Sequence, residues 1–425
     1  MPITLNRTPK GIYRFNAEIN NFLANNPDIN IIGVDRGEKH LAYYSVINQK
    51  GEILDRDSLN TVNKIAYYEK LETKAKGREQ ARKDWQEVEG IKDLKKGYIS
   101  QVVRKLADLA IQHNAIIVME DLNMRFKQIR GGIEKSIYQQ LEKALIEKLN
   151  FLINKGEKDP EQSGHLLKAY QLTAPFETFK DMGKQTGIIF YTQASYTSKI
   201  DPVTGWRPNL YLKYTSAEKA KSDILRFTDI QFRNNRFEFT YNLRDFLSSK
   251  EYPNKTEWTV CSNVERFKWD RKLSNNKGGY IHYKDLTENI GDLFVEFGIS
   301  RKRDIKNQIR NIDEKKKENA KFFRDLIYYF SLICQIRNTQ QDKDGNENDF
   351  VLSPIAPFFD SRKSDEFGKN LPQNGDDNGA YNIARKGIVI LEKISRFKNE
   401  NGSIDKLRWN DLYISHSDWD NFAAK

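Results

Sequence analysis

The chain has 425 residues, and its 70 lysines and arginines exceed its 59 aspartates and glutamates, giving a formal net charge of +11 at pH 7. Hydrophobic residues make up 38% of the chain and aromatic residues 12%, which excludes a disordered protein. The apolar runs are much shorter than the roughly 20 residues of a spanning helix, and the N-terminal residues lack a signal-peptide core. Two cysteines cannot build a disulfide framework. We therefore expect a basic protein of a reducing compartment with no membrane partner.

The first predicted elements are three strands in succession. Residues 30–35 read NIIGVD, and the segments 41–47 and 52–59 are also rich in aliphatic and aromatic residues. Glycine-containing turns separate these segments, so we predict an antiparallel meander.

Two helices and a buried strand come next. A long polar helix is predicted at about 63–84 and a second helix at about 98–113. The run Ala115 to Met119 predicts a fully buried strand that ends in an acid, Glu120. A further helix is indicated by apolar residues at every fourth position from 133 to 153.

The character of the chain changes between 194 and 375. Proline, asparagine and short aromatic strands such as RFEFTYNL (236–243) dominate, with one amphipathic helix near 319–337. The apolar residues of that helix end at Ile333, and Arg337 would extend their stripe by one turn. A last helix is predicted at 376–394. This pattern predicts a large insertion followed by a C-terminal helix.

Positive charge is concentrated in two segments. Residues 64–105 hold 12 Lys/Arg and 7 Asp/Glu, a net +5, and residues 301–324 hold 10 and 4, a net +6. Aromatic residues lie between the charges, a mixture that suits nucleic acid because cations neutralise phosphates and rings stack on bases. Solvated helix faces remain the alternative for each segment.

Several acidic residues lie at the ends of predicted elements. In α/β proteins the ends of strands commonly open onto a cleft that holds the active site. Asp35 and Glu120 end two predicted strands, and Asp376 and Asp377 open the last helix. Helix capping is the ordinary alternative for the last two. Three such carboxylates suit a two-metal phosphodiesterase, since Mg²⁺ prefers hard oxygen ligands. No histidine pair has HExxH spacing, and no GxSxG or Walker loop is present.

Three motifs in order resemble the RuvC motifs of the type V-A CRISPR RNA-guided endonucleases. They are IIGVDRGEKHLAYYSVI (31–47), VMEDLN (118–123) and DDNGAYNIARKG (376–387). The intervening stretches KDLKKGY, YTSKIDPVTGW, IRN and FFDSR are also similar. The likeness therefore extends from near the N-terminus to the C-terminus.

The resemblance implies an α/β fold, an RNase H-like (RuvC) core with a mixed sheet flanked by helices and interrupted by an α+β Nuc-type insertion. It divides the chain into a remnant of an upstream wedge-type domain (1–12), a RuvC motif I segment (13–62), a bridge helix (63–85), a motif II segment (86–193), a Nuc domain (194–375) and a motif III segment (376–425). The long upstream portion that binds guide RNA in the family is missing, so we expect about the C-terminal third of an effector.

The resemblance also implies the site. Asp35, Glu120 and Asp376 match the catalytic, metal-binding acids, with Asp377 as the variable position of the third motif. Two Mg²⁺ ions are the implied cofactors, with Mn²⁺ as a substitute. Arg337 matches an arginine that assists cleavage in the family, and Asp349 matches a nearby acid. A structural ion pair is the alternative role for Arg337.

We expect the basic segments to contact nucleic acid. We expect Trp85 to anchor the bridge helix, with plain hydrophobic packing as the alternative role for this residue. The residues expected to bind nucleic acid are Arg36, Arg78, Arg82, Lys83, Lys92, Lys95 and Lys96. The implied partners are single strands of DNA and, through the missing lobe, a guide RNA. We expect a monomer in a bacterial cytoplasm.

The function that follows is a metal-dependent DNA endonuclease module of a type V-A effector. One alternative is a catalytically silent fragment that binds nucleic acid and needs the missing lobe. Another is a transposon-encoded guided nuclease, which usually carries a CxxC zinc ribbon, and the two cysteines here are too far apart to form one. A Holliday-junction resolvase shares the core but lacks an insertion like 194–375.

Overall fold

The structure of the chain is a computed structural model. It describes residues 12–36, 42–84, 92–121, 135–152, 159, 187–193, 197–248, 252–273, 278–341, 347–367, 370–404, 407 and 409–423. The chain divides into two compact units. The first unit comprises residues 1–197 and 379–414, and the second unit comprises residues 198–378 and 415–425.

The chain is built from helices and short strands, with several strands in succession at 30–66 and 229–283. The strands are β1 (Asn30–Asp35), β2 (Tyr43–Ile47), β3 (Ile53–Ser58), β4 (Thr61–Val62), β5 (Ile65–Ala66), β6 (Ala115–Asp121), β7 (Ile189–Gln193), β8 (Asp229–Arg233), β9 (Arg236–Asn242), β10 (Glu257–Cys261), β11 (Arg266–Asp270), β12 (Gly279–Tyr283), β13 (Arg337–Gln341) and β14 (Glu347–Val351). The helices are α1 (Ile12–Asn25), α2 (Tyr67–Lys83), α3 (Lys92–Gln112), α4 (Lys135–Leu152), α5 (Ala217–Leu225), α6 (Leu286–Glu296), α7 (Ile305–Arg310), α8 (Ala320–Ile333), α9 (Gly375–Arg396) and α10 (His416–Ala423). Among the described helices, none combines the length and the apolar character needed to cross a membrane.

A mixed five-stranded sheet forms the centre of the first unit, in the order β3-β2-β1-β6-β7. β1 pairs antiparallel with β2, and β2 with β3, which confirms the predicted meander. β1 pairs parallel with β6, and β6 with β7. Ile31, Ile32 and Val34 of β1 are fully buried, as expected for a central strand whose apolar run is continuous. The mixed α/β fold predicted for this core is confirmed.

Helix α9 packs directly on β1, and small residues allow the contact. A Cβ added at Gly33 would lie within 3.0 Å of the Ala380 carbonyl oxygen and the Ala384 amide nitrogen. On the helix, a Cβ at Gly387 would meet the Ile31 side chain. The backbones of strand and helix can approach this closely only because both positions lack side chains.

The structure shifts the starts of two predicted helices. α2 begins at Tyr67 rather than near residue 63, because Asn63 and Lys64 have φ of 51° and 65° and form the turn between β4 and β5. α3 begins at Lys92 rather than Tyr98 and continues through Gly97. A Cβ at Gly97 would meet nothing within 4 Å, so this glycine lies on an open face of the helix.

The second unit combines helices with short antiparallel strands. Its three-stranded sheet has the order β10-β9-β8, and β11–β12 and β13–β14 form two hairpins. Residues of β9 alternate between buried and half-buried, as a strand with one face on a core requires. Phe227, Phe239 and Phe330 pack edge to face in this core, with ring centroids 4.9–5.9 Å apart.

The prediction that Arg337 continues the stripe of the amphipathic helix is wrong. α8 ends at Ile333, and Arg337 is the first residue of β13. The fully buried Arg266 donates to the carbonyl oxygens of Leu332 and Ile333, both at 2.8 Å. Its guanidinium satisfies the last turn of the helix, so the chain can leave the helical conformation there.

The C-terminal helix α10 belongs to the second unit, although the sequence groups 376–425 as one segment. Arg207 donates to His416 Nδ1 at 2.6 Å and to Asp420 at 3.2 Å. A Cβ at Gly205, where φ is +68°, would contact Ala423. These contacts hold the end of the chain on the second unit.

Candidate functional site

Two acids of the first unit lie side by side at strand ends. Val34 of β1 pairs with Met119 of β6 in parallel register, so the next residues, Asp35 and Glu120, are neighbours on adjacent strands. Neighbouring strands are about 4.8 Å apart, and an in-register parallel pair projects to the same face of the sheet. Both acids are buried, at 6% and 9% exposure. Two buried carboxylates so close together favour a bound cation.

A threonine that the sequence analysis did not single out braces the glutamate. Thr197 Oγ1 donates to Glu120 Oε1 at 2.7 Å, and both residues are buried. Asn382 of α9 donates to the Thr197 carbonyl oxygen at 3.2 Å. One oxygen of Glu120 is thereby oriented by a chain of hydrogen bonds. Thr197 falls within the similar stretch at 196–206, which is the only signal for it in the sequence.

The aspartate lies beneath α9. A Cβ added at Gly379 would collide with Asp35 Oδ2, so this position requires a residue without a side chain. Gly379 belongs to the third motif. Its function is to let the helix pass directly over the carboxylate of the first motif.

Arg36 is placed differently from the expectation that it binds nucleic acid. Its side chain is 2% exposed and forms an ion pair with Glu142 of α4, with Nη1 to Oε1 at 2.8 Å. It also donates to the Glu120 carbonyl oxygen. A phosphate cannot reach a guanidinium buried in this way, so Arg36 is a structural contact that orients the strand end of Glu120.

The second unit gathers the other predicted site residues around one arginine. Arg337 Nη2 lies 2.7 Å from Asp376 Oδ1 and 2.7 Å from Asp349 Oδ2. The contact with Asp376 has hydrogen-bond geometry, and the contact with Asp349 is an ion pair. A Cβ at Gly375 would collide with Asp349 Oδ2 and would lie 2.5 Å from Arg337 Nε. Glycine at 375 therefore lets the start of α9 pack against the ion pair.

The two acids that open α9 have different partners. Asp377 is fully buried, and its Oδ2 accepts from the Gln373 amide at 2.8 Å. The Asp377 amide in turn donates to Asn374 Oδ1 at 2.8 Å. This reciprocal pattern is a helix-capping arrangement. Asp376 instead faces Arg337, so capping accounts for Asp377 and not for Asp376.

Within the first unit, Asp35 and Glu120 offer carboxylate oxygens, the ligand type that a hard divalent ion prefers. Within the ranges that the structure describes, no group of three or more His, Cys, Asp or Glu side chains is arranged to hold a metal ion.

Most of the other predicted nucleic-acid contacts lie on two helices. Arg82 and Lys83 of α2 are exposed and Arg78 is half-exposed, and Lys83 forms an exposed pair with Glu79 at 2.8 Å. On α3, Lys96 is exposed and Lys95 is half-exposed. The side chain of Lys92, at the start of α3, and the whole of Trp85 lie outside the described residues. Binding by these residues stays a prediction.

One family comparison bears on the chain. The sequence model of a family described as the RuvC nuclease domain matches residues 10–425.

Proposed function

The chain belongs to the RuvC nuclease domain family, and from this premise we propose that it is a metal-dependent DNA endonuclease, the catalytic portion of a type V-A CRISPR effector. The observation that carries the chemistry is the pair of buried carboxylates, Asp35 and Glu120, at in-register ends of parallel strands. This placement supports hydrolysis of a phosphodiester bond by a RuvC-type site.

In this proposal Asp35, Glu120 and Asp376 hold two Mg²⁺ ions, and Mn²⁺ substitutes for them. Bound divalent ions would supply an activated water and charge stabilisation for the leaving oxygen. The protein contributes orientation. Thr197 and Asn382 fix the rotamer of Glu120, so its other oxygen is presented in one direction.

Arg337 would assist by binding a phosphate oxygen of the DNA. The Arg337 side chain is 30% exposed and its guanidinium is held by Asp376 and Asp349, so it is both accessible and oriented. Asp349 would act as a positioning residue for this arginine. An arginine suits the role because its planar fork matches phosphate geometry.

The assignment to type V-A effectors rests on the three sequence motifs and on the similar sequence segments between them. Within it, the second unit corresponds to the Nuc-type insertion, single strands of DNA are the substrate, and a guide RNA is bound by the upstream lobe of the effector. The basic residues of α2 and α3 would contact the phosphates of the strand.

The test is cleavage of a labelled single-stranded oligonucleotide by the purified chain without guide. We expect cutting with Mg²⁺ or Mn²⁺, none with EDTA, and a loss of at least 100-fold in Asp35→Asn and Glu120→Gln, in line with the loss of an electrostatic group at an active site. Asp57→Asn is the matched control, because Asp57 is an exposed carboxylate on the same sheet.

Two outcomes separate the alternatives. Binding without cleavage in every metal would favour the silent fragment, in which a guide-binding lobe is needed to assemble the site. Cleavage that survives both substitutions would overturn the site assignment. Manganese binding followed by paramagnetic resonance gives a second readout, since it should weaken in both variants even if the isolated chain does not cut.

A further inference from the structure

The β11–β12 hairpin of the second unit carries aromatic rings on one face. In its register Phe267 pairs with His282, and Trp269 pairs with Tyr280. Residues two apart on a strand share a face, and so do cross-strand partners. The four rings therefore form two adjacent rows on the same side of the hairpin, which we call the aromatic face.

These rings are held in place by one another and by a turn. The rings of Phe267 and His282 stack with centroids 4.3 Å apart and an interplanar angle of 5°. Trp269 packs edge to face on Tyr280 at 4.9 Å. A Cβ at Gly278, where φ is +83°, would collide with the indole, so the ring lies directly against this glycine. Trp269 is nevertheless 45% exposed. It is a preorganised ring open to solvent.

Most exposed charges of the hairpin itself are positive, although the exposed Glu347 of β14 accepts from the Tyr280 hydroxyl at 3.5 Å. Among the described residues between 265 and 285, the charged side chains that are exposed are all cationic: Lys268, Arg271, Lys272 and Lys284. The half-buried Glu265 is already engaged, with His282 Nε2 and Arg362 Nη1 each 2.7 Å from its carboxylate. A polyanion would therefore meet favourable charge along this hairpin.

The hairpin is tied to the segment that carries Arg337. The Phe267 amide donates to Asn338 Oδ1 at 3.4 Å, and Asn338 follows Arg337 on β13. The Phe267 ring packs edge to face on Phe350, which follows Asp349 on β14, with centroids 6.0 Å apart. A strand bound on the aromatic face would thus be held by the same small framework that positions the Arg337 ion pair.

We propose that the aromatic face binds single-stranded DNA by stacking unpaired bases, with Trp269 as its main contact. The proposal deepens the proposed function and rests on it for the identity of the ligand. Exposed rings beside cations suit single-stranded nucleic acid, whereas the core of a protein interface is depleted of charge. The role of the face is to hold the strand near Arg337 without reading its sequence.

The experiment measures fluorescence anisotropy of a labelled single-stranded oligonucleotide in EDTA, where no cleavage occurs. Trp269→Ala should weaken binding by about 5- to 100-fold, the equivalent of losing one stacked base. Trp269→Phe should retain most of the affinity, since it keeps a ring. An abasic oligonucleotide with the same number of phosphates should bind the unsubstituted chain and Trp269→Ala equally.

Tyr413→Ala is the matched control, because Tyr413 is a 51% exposed aromatic residue of the first unit. Photo-crosslinking of an iodouracil oligonucleotide to the unsubstituted chain should label a peptide within 266–283, a readout that needs no variant to fold. Binding by Trp269→Ala within twofold of the unsubstituted chain, or crosslinks only elsewhere, would overturn the proposal. Trp269-dependent binding without any metal-dependent cleavage would instead favour the silent-fragment alternative and leave this inference standing.

Discussion

At the scale of single residues, neighbouring acids have opposite functions. Asp377 closes the capping pattern with Gln373 and Asn374, while Asp376 faces Arg337. An acid in the first helical turn is favoured by the helix dipole in both cases. The hydrogen-bond partner of each carboxylate, and not its position in the sequence, distinguishes the acid that caps the helix from the acid of the candidate site.

We expect opposite phenotypes from these two acids. Asp377→Ala should lower the free energy of unfolding by about 1 kcal/mol, because the hydrogen bond from the Gln373 amide to the cap is lost, and should retain cleavage. Asp376→Asn should abolish cleavage, because the carboxylate that we propose as a metal ligand becomes an amide. Urea unfolding and the oligonucleotide assay measure the two effects. If Asp377→Ala abolishes cleavage at unchanged stability, the third acid is Asp377.

At the scale of elements, close contact between α9 and β1 organises the first unit. The helix reaches the strand at Gly33 and passes over Asp35 at Gly379. Any side chain at either position would push the helix away from the strand end. Contact at glycines therefore connects the packing of the helix with the position of Asp35.

The same substitution should have opposite effects at two glycines. Gly33→Ala should reduce the free energy of unfolding by about 1–3 kcal/mol, because its Cβ would meet backbone atoms of α9. Gly77→Ala should raise it by about 0.5–1 kcal/mol, because Gly77 lies inside α2 with nothing within 4 Å. Urea denaturation of both variants measures the difference, and an unchanged stability in Gly33→Ala would argue against the close packing.

At the scale of the whole molecule, the chain forms two units that are interleaved in sequence. The first unit is completed only by residues 379–414, after the entire 198–378 segment. Both cysteines, Cys261 and Cys334, are buried in the second unit. Their thiols therefore report on the integrity of that unit alone.

Burial raises the pKa of the Cys261 thiol to about 11 and that of Cys334 to about 12. At pH 8 about a quarter of an ordinary thiol is thiolate, against about 0.1% of a thiol with a pKa near 11. We expect almost no reaction of the native chain with a thiol reagent at pH 8, and two reactive thiols in urea. Because the thiolate fraction grows about tenfold per pH unit below the pKa, native labelling should accelerate as pH rises. Rapid native labelling at pH 8 would contradict the buried placement.

Local sequence patterns predicted several strands of this protein and its family. The apolar runs at 30–35 and 115–119 predicted central strands, the aromatic alternation at 236–243 predicted β9, and the order of three motifs predicted the RuvC family. These features depend on residues close together in the chain, where periodicity and turn residues act directly. The acids Asp35 and Glu120 were also predicted this way, because each lies at the end of its own strand.

Tertiary structure alone decided which residues meet. Arg36 was expected to bind nucleic acid, yet it pairs with Glu142, 106 residues away. Arg337 leaves the predicted helix because Arg266, 66 residues before Leu332, satisfies the carbonyl groups at its end. A charged side chain has no periodicity that reveals its partner, since burial selects the partner only after distant elements have packed. The sequence thus predicted the acidic and basic residues of the candidate site and the strands that carry them. Only the packing of distant elements determined which residue each charged side chain contacts.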